Sequence, residues 1–353
     1  MKSGKPYNYA IDILRVSGIF AVVLIHTTSK TLELSHFDVI RLPFSLFLNQ
    51  SARFAVPLLF FISGFVLQLN YPKVTSITTF YKKRGKLLVP FFFWSFIYFF
   101  FVYPQPDVPI FSGTFFYQIL TGEASYQLYF IPSLYILYFF FPFIHRLLIQ
   151  MINKRWLLIL GLAQIMLLAI DYYYFEFKWY TPIKTALLNL YIFSLGIIAC
   201  HYEKEVLAYI KKRFWMLVGL MVLVLASMYY EVRTLYIHDE TIHYIYSQWR
   251  PMVFLYTLLF TSIFYYLFQK VNRFGTIILF LSRVSFFVFF VHVIFIHVYW
   301  RFIGSYLFSK SAGHVVDSFW FEPSVFFFVL GMSILTGYIV QFIPKFNTLM
   351  GLK

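Results

Sequence analysis

Stretches of about 20 mostly apolar residues recur along the whole chain, and no other feature restricts its fold so tightly. A segment crossing a hydrocarbon layer about 30 Å thick must satisfy its own backbone polar groups, which selects the α-helix. The sequence places such spans at Ala10–Thr28, Ser51–Leu69, Leu87–Tyr103, Gln127–Leu148, Trp156–Ile170, Ile183–His201, Phe214–Tyr230, Pro251–Phe268, Thr276–Trp300 and Ser324–Phe342. Phe44–Leu48 either lengthens the second span or lies along the interface. A composition of 61% hydrophobic and 12% charged residues excludes a soluble globular protein. The expected fold is all-α: a polytopic integral membrane protein with about ten transmembrane helices, residues 1–353 forming one membrane domain without a separate soluble domain.

The chain carries 29 Lys+Arg against 14 Asp+Glu, a net +15 that suits either nucleic acid or a membrane surface. Position decides between them. With the N-terminus inside, 18 of the 29 basic residues fall in inner connecting segments, 9 fall in outer ones, and Arg15 and Arg283 lie within spans. This alternation puts both termini in the cytoplasm and accounts for the charge without a nucleic-acid partner. Lys2 and Lys5 before the first span resemble the start of a signal peptide, but Asp12, Arg15 and the lack of a small-residue cleavage site make that span a retained helix. The longer loops, about 104–126, 231–250 and 302–322, fall on the outside. One cysteine, Cys200, excludes an intrachain disulfide framework and any multi-cysteine metal site. No metal ligand set is expected.

Charged and titratable residues within spans are costly and should face a cavity or a partner. Arg15 either snorkels to the interface paired with Asp12 at i,i+3 or lines such a cavity. His26 follows Arg15 by eleven residues, about 20° from three full turns, so the two share a helix face roughly 16 Å apart along the axis. His26 is then either an interfacial histidine or a titratable group on the same path. Arg53 opens the second span near the outer surface, as an anchor or as a cation for an anionic sugar, phosphate or headgroup. Ser63-Gly64 loosens that helix for close packing or for the approach of a ligand.

Lys82-Lys83-Arg84-Gly85-Lys86 forms a basic run at an inner helix entrance. It suits anionic lipid and also a phosphate-rich donor such as a coenzyme A thioester. In the ninth span, His292 and His297 project about 140° apart and cannot pair on one metal, whereas Ser285 and His292 share a face. Tyr126-Gln127-Leu128-Tyr129-Phe130 adjoins the surface that carries His26 and Arg53.

Together these residues resemble the membrane acyltransferase 3 family of integral O-acyltransferases. The resemblance rests on Ile11-Asp12-Ile13-Leu14-Arg15 followed after ten residues by His26, on Arg53-Phe54-Ala55-Val56-Pro57 running into Phe60-Phe61-Ile62-Ser63-Gly64-Phe65, and on Phe289-Phe290-Val291-His292. It implies transfer of an acyl group, usually acetyl, from cytoplasmic acyl-coenzyme A as co-substrate to a hydroxyl of a cell-surface or lipid-linked glycan, with no bound cofactor. It further implies a central catalytic role for His26 and donor handling or charge stabilisation by Arg15. Lys83, Arg84 and Lys86 join Arg15 on the donor side, and Arg53, Ser63, Gln127, Tyr129 and His292 form the acceptor vestibule. The chain departs from the family pattern twice. Lys83-x-x-Lys86 stands where Arg-x-x-Arg is common, which keeps charge but not bidentate geometry, and Gln127 stands in place of a histidine.

The implied protein is an O-acetyltransferase-like enzyme of a bacterial plasma membrane, acting in surface polysaccharide or exopolysaccharide biosynthesis. The resemblance extends to a branch linked to intercellular-adhesin polysaccharide, so succinyl transfer remains open. The alternative is a polysaccharide exporter or flippase without covalent chemistry. A proton-coupled transporter is less well supported, because Asp12 and the span-edge Asp171 are the only carboxylates placed to carry protons through the membrane.

Overall fold

The computed structural model of the protein describes residues 9–34, 43–73, 76–151, 153–175, 181–237, 247–271, 275–304, 306–307 and 320–352. Of the charges used for the topology, Lys2, Lys5, Arg41, Lys178, Asp239, Glu240, Arg273, Lys310, Asp317 and Lys353 lie outside the described residues. The described residues form helices and their connections, without a strand. Among the described residues, nine stretches are long and apolar enough to cross a membrane, or ten if a bent pair counts as one span. Each expected span has its counterpart.

The first is α1 (Tyr9–Leu34). The second is α2 (Pro43–Ser51) running into α3 (Ala55–Asn70), so Phe44–Leu48 lengthens it, with a short break at 52–54. The third combines α4 (Ile77–Gly85) with α5 (Leu88–Ile97). A short helix, α6 (Gly113–Thr121), fills the loop before α7 (Phe130–Met151). The fifth span, α8 (Lys154–Ile170), starts at Asn153, whose side chain accepts from the backbone N–H groups of Arg155 and Trp156. The sixth bends by 44° at Asn189, between α9 (Thr181–Leu188) and α10 (Leu190–His201). The amphipathic α11 (Glu203–Lys212) then leads to α12 (Phe214–Ile237), α13 (Pro251–Phe268), α14 (Gly275–Tyr299), α15 (Phe321–Val340) and the short α16 (Pro344–Met350).

Packing separates central from peripheral spans. In the most apolar part of Pro43–Asn70, 78% of residues are buried, against 11% in Phe214–Leu235, so the former sits inside the bundle and the latter faces lipid. α1 lies at the centre, with α2, α3, α13, α14 and α15 around it. Single-turn π segments continue α5 (Tyr98–Val102), α8 (Asp171–Phe175) and α14 (Trp300–Gly304). Since these three spans run parallel in the alternating order, all three segments lie at the same end of the bundle as His26.

α3 and α10 approach each other closely at two glycines. A Cβ on Gly64 would overlap the carbonyl oxygen of Phe193, and one on Gly196 would overlap that of Phe61. The two glycines therefore let the backbones touch, and close packing explains Gly64. Gly64→Ala or Gly196→Ala should each cost about 1–3 kcal/mol, read as a lowered midpoint of thermal unfolding in detergent, because backbone cannot yield as a side chain can. Gly331→Ala, where nothing lies within 4 Å of the added methyl, is the control and should hold or raise the midpoint.

Candidate functional site

α1 delivers polar groups to two cavities, one at each end. Near its N-terminal end Arg15 lines a small cavity of about 130 Å³ with Ser63, Arg84, Tyr138, Ser282 and Arg283, closed by apolar residues such as Ile19 and Leu134. Near its other end His26 and Ser29 line a larger cavity of about 460 Å³ with Arg53, Tyr126, Gln127, Tyr129, Gln248 and Trp249. The handover falls between Ile19 and Val22 on α1 and between Val56 and Leu59 on α3. Phe130 and Phe289 line both cavities. Their ring centroids lie 5.5 Å apart.

Arg15 is paired as its place in a span demands. Its Nη1 donates to Asp12 Oδ1 at 2.9 Å and to Ser282 Oγ at 2.8 Å, while the Ser282 hydroxyl donates to Asp12 Oδ1 at 2.5 Å. Pairing and cavity lining, the two alternatives offered by the sequence, thus coexist in one residue. Arg84 stacks on Tyr71, 5.2 Å from its ring centroid, and donates to its hydroxyl. Three guanidiniums, Arg15, Arg84 and Arg283, therefore surround a largely apolar space. Such a set can hold phosphate oxygens at the rim and an apolar arm within. Lys83 and Lys86 stand exposed nearby on the same segment. Ser63 belongs to this cavity, not to the larger one, and its hydroxyl donates to the Leu59 carbonyl.

At the other end His26 and His292 stack with ring centroids 5.3 Å apart and planes 25° apart. Tyr126 closes on His26 at 4.7 Å. His292 is fully buried, and its Nδ1 lies 3.1 Å from the Val288 carbonyl oxygen. A carbonyl only accepts, so Nδ1 carries the proton and Nε2 presents a lone pair. That Nε2 has no hydrogen-bond partner among the described residues. His297 points elsewhere, its Nε2 2.7 Å from the Tyr103 hydroxyl, as the angular separation on the helix requires.

The turn before α7 supplies the other wall. Gly122 caps α6 with φ +80°, and a side chain there would strike the backbone of Leu128 and Tyr129. This brings Ser125, Gln127 and Tyr129 together. The Ser125 hydroxyl donates to Gln127 Oε1 at 2.6 Å, and the buried Gln127 amide nitrogen has no hydrogen-bond partner among the described residues. Gln248 donates to the Tyr129 hydroxyl at 2.5 Å. Burial pushes the Tyr129 phenol up to about 12, partly offset by the Gln248 hydrogen bond and the Arg53 charge. Tyr129 is therefore a neutral donor and acceptor.

Arg53 is buried, and its Nε donates to Asn49 Oδ1 at 3.1 Å. Asn49 Nδ2 in turn donates to the hydroxyls of Thr28 and Ser29, beside His26 on α1. Gln50 Nε2 donates to Asn49 Oδ1, and the Gln50 carbonyl oxygen accepts from the fully buried Arg250, which also pairs with Glu231 at 3.3 Å. Sequence reasoning found Arg53 but missed Asn49, Gln50 and Arg250. The available signal was Asn49-Gln50, an amide pair at the mouth of an apolar span, where polar side chains need partners.

A family model described as an acyltransferase domain matches residues 8–341 of the chain. No curated protein and no solved structure gives a significant match.

The buried network carries a stability expectation. Arg250→Met leaves Gln50 and Glu231 without their cation and should cost about 3–5 kcal/mol in detergent unfolding. Lys30→Ala, which breaks an exposed pair with Glu33, should cost less than about 1 kcal/mol. Equal losses for the two variants would refute the ranking.

Proposed function

The chain belongs to the acyltransferase 3 family, whose members are membrane acyltransferases, and on that premise we propose that it moves an acyl group, acetyl first among candidates, from acyl-coenzyme A to a glycan hydroxyl. The donor is cytoplasmic, the membrane a bacterial plasma membrane, and the acceptor a cell-surface polysaccharide or its lipid-linked precursor. One observation carries the reading: a single helix presents Arg15 to a cavity ringed by guanidiniums and His26 to a second cavity lined by hydroxyl and amide groups. The first is suited to a phosphate-rich donor, the second to a sugar.

The roles follow from that division. Arg84 and Arg283, with Lys83 and Lys86 at the rim, hold the phosphates of coenzyme A and leave its long pantetheine arm to run along α1 past Arg15. Arg15, fixed by Asp12 and Ser282, contributes positive charge along that path. At the far end the acceptor hydroxyl gives its proton to the unprotonated ring nitrogen of His26 as its oxygen attacks the thioester carbonyl. The carbon–sulfur bond breaks, and the departing thiolate takes the proton back from the imidazolium. Gln127, Tyr129 and Arg53 line the cavity and orient the sugar, while the fully buried His292 lies outside the lining and backs the His26 ring by stacking.

Inside-out membrane vesicles given acetyl-coenzyme A should release free coenzyme A in step with acylation of their enclosed glycan. His26→Ala should lower both by about 10²–10⁴-fold at unchanged protein level, the range of a lost general base. Full acylation by well-inserted His26→Ala protein would sink the assignment. Glycan movement without coenzyme A release would favour export instead. Arg15→Ala should lower kcat/KM for the donor more than Arg15→Lys does.

The raised Tyr129 pKa gives a pH expectation. The phenol stays protonated below about 12, so Tyr129→Phe should reduce the rate without changing the shape of the pH profile between about pH 6 and pH 9. A new alkaline slope in the variant would contradict this.

A further inference from the structure

Phe130 and Phe289 hold a position that the roles above leave unused. Each lines both cavities, on either side of the step from Ile19 to Val22 along α1. Their rings meet at 57°, and both side chains are buried. Phe60 packs on Phe130 with centroids 5.0 Å apart, and Phe286 stacks parallel to Phe289 at 6.4 Å. Phe289 lies one helical turn before His292. Phe130 directly follows Tyr129 at the start of α7. The aromatic pair thus stands across the line from Arg15 to His26, between the cavity that holds the guanidiniums and the one that holds the imidazole.

Resting on the acyl-coenzyme A reading, we infer that Phe130 and Phe289 form an aromatic septum that determines which acyl groups reach His26. Any acyl thioester arriving from the Arg15 side must pass between these rings before its carbonyl meets the imidazole. Rings in contact admit a slim, unbranched group by a modest rotation and oppose one as wide as themselves, since a packed core resists added volume. The pair also keeps water in the His26 cavity from the thioester until the donor is inserted, so transfer to sugar outruns hydrolysis. The substrate class is therefore short linear acyl groups, excluding branched and aromatic ones.

Removing one ring tests this directly, because an apolar cavity of ring size accepts a ring in return. Inside-out vesicles are given acetyl-coenzyme A or benzoyl-coenzyme A, and both ester formation and free coenzyme A are measured. Wild type should use acetyl and reject benzoyl. Phe289→Ala should raise the benzoyl-to-acetyl ratio of kcat/KM by about tenfold or more, the scale of pocket discrimination in apolar sites. It should also release coenzyme A in excess of ester formed. Phe289→Leu and Phe130→Leu, milder changes that keep the core filled, should move the ratio in the same direction by less. They serve if the alanine protein does not insert. An unchanged ratio and unchanged coupling in inserted variants, with wild type active on acetyl-coenzyme A, overturns the septum alone. Absence of coenzyme A release by wild type from either thioester overturns the acyl-coenzyme A reading, and the septum with it.

Discussion

A guanidinium inside a membrane span must be neutralised where it stands, and the way Arg15 meets that demand sets the register of the bundle. Its Nη1 bridges Asp12 on its own helix and Ser282 on α14, and Ser282 also donates to Asp12. This three-way bond pins two parallel helices at one level. Eleven residues along α1 from Arg15 is His26, and ten residues along α14 from Ser282 is His292. At 1.5 Å per residue these are rises of about 16 Å and about 15 Å. The histidines consequently meet as a stacked pair at the opposite end. A polar clamp at one end thus positions the imidazoles at the other.

The two cavities illustrate a division of labour that the bilayer imposes. Cations around an apolar space suit a donor that is charged at one end and greasy at the other. Neutral amides and hydroxyls with one buried guanidinium suit a sugar. In the larger cavity the polar atoms are held mainly by other protein groups: Gln127 by Ser125, Tyr129 by Gln248 and Arg53 by Asn49. Among the described residues that line it, Gln127 Nε2 and Trp249 Nε1 are buried donors without a partner, and the acceptor His292 Nε2 lies behind His26, outside the lining. A hydroxyl can accept from either donor.

Much of this was legible in the sequence because hydrophobic length and helical periodicity are strictly local signals. Nine spans of the described residues lie where the apolar runs put them and the bent pair supplies the sixth, while Arg15 and His26, expected to share one cavity, line two. What escaped depends on contacts between distant segments. Arg250 reads as an ordinary loop cation before Pro251, yet it is fully buried because Gln50 and Glu231, 200 and 19 residues away, converge on it. Ser63 reads as part of the vestibule and lies instead beside Arg15, because it sits a full turn beyond Leu59 in α3, on the far side of the handover. The 44° bend at Asn189 was invisible to a hydropathy count that registers apolar length but not direction.

The lipid-facing position of α12 has a consequence of its own. With 24 residues the helix is about 36 Å long, more than the hydrocarbon it crosses, so it fits by leaning or by carrying its last turns, from Glu231 on, beyond the apolar layer. Its far end carries Glu231, which holds Arg250 and so reaches Gln50, Asn49 and Arg53. A change of bilayer thickness would shift the tilt or depth of α12, and Glu231 would pass that shift to a hydrogen-bonded chain ending beside His26. The lipid surrounding the protein is thereby a mechanical load on its polar cavity, in addition to being its solvent.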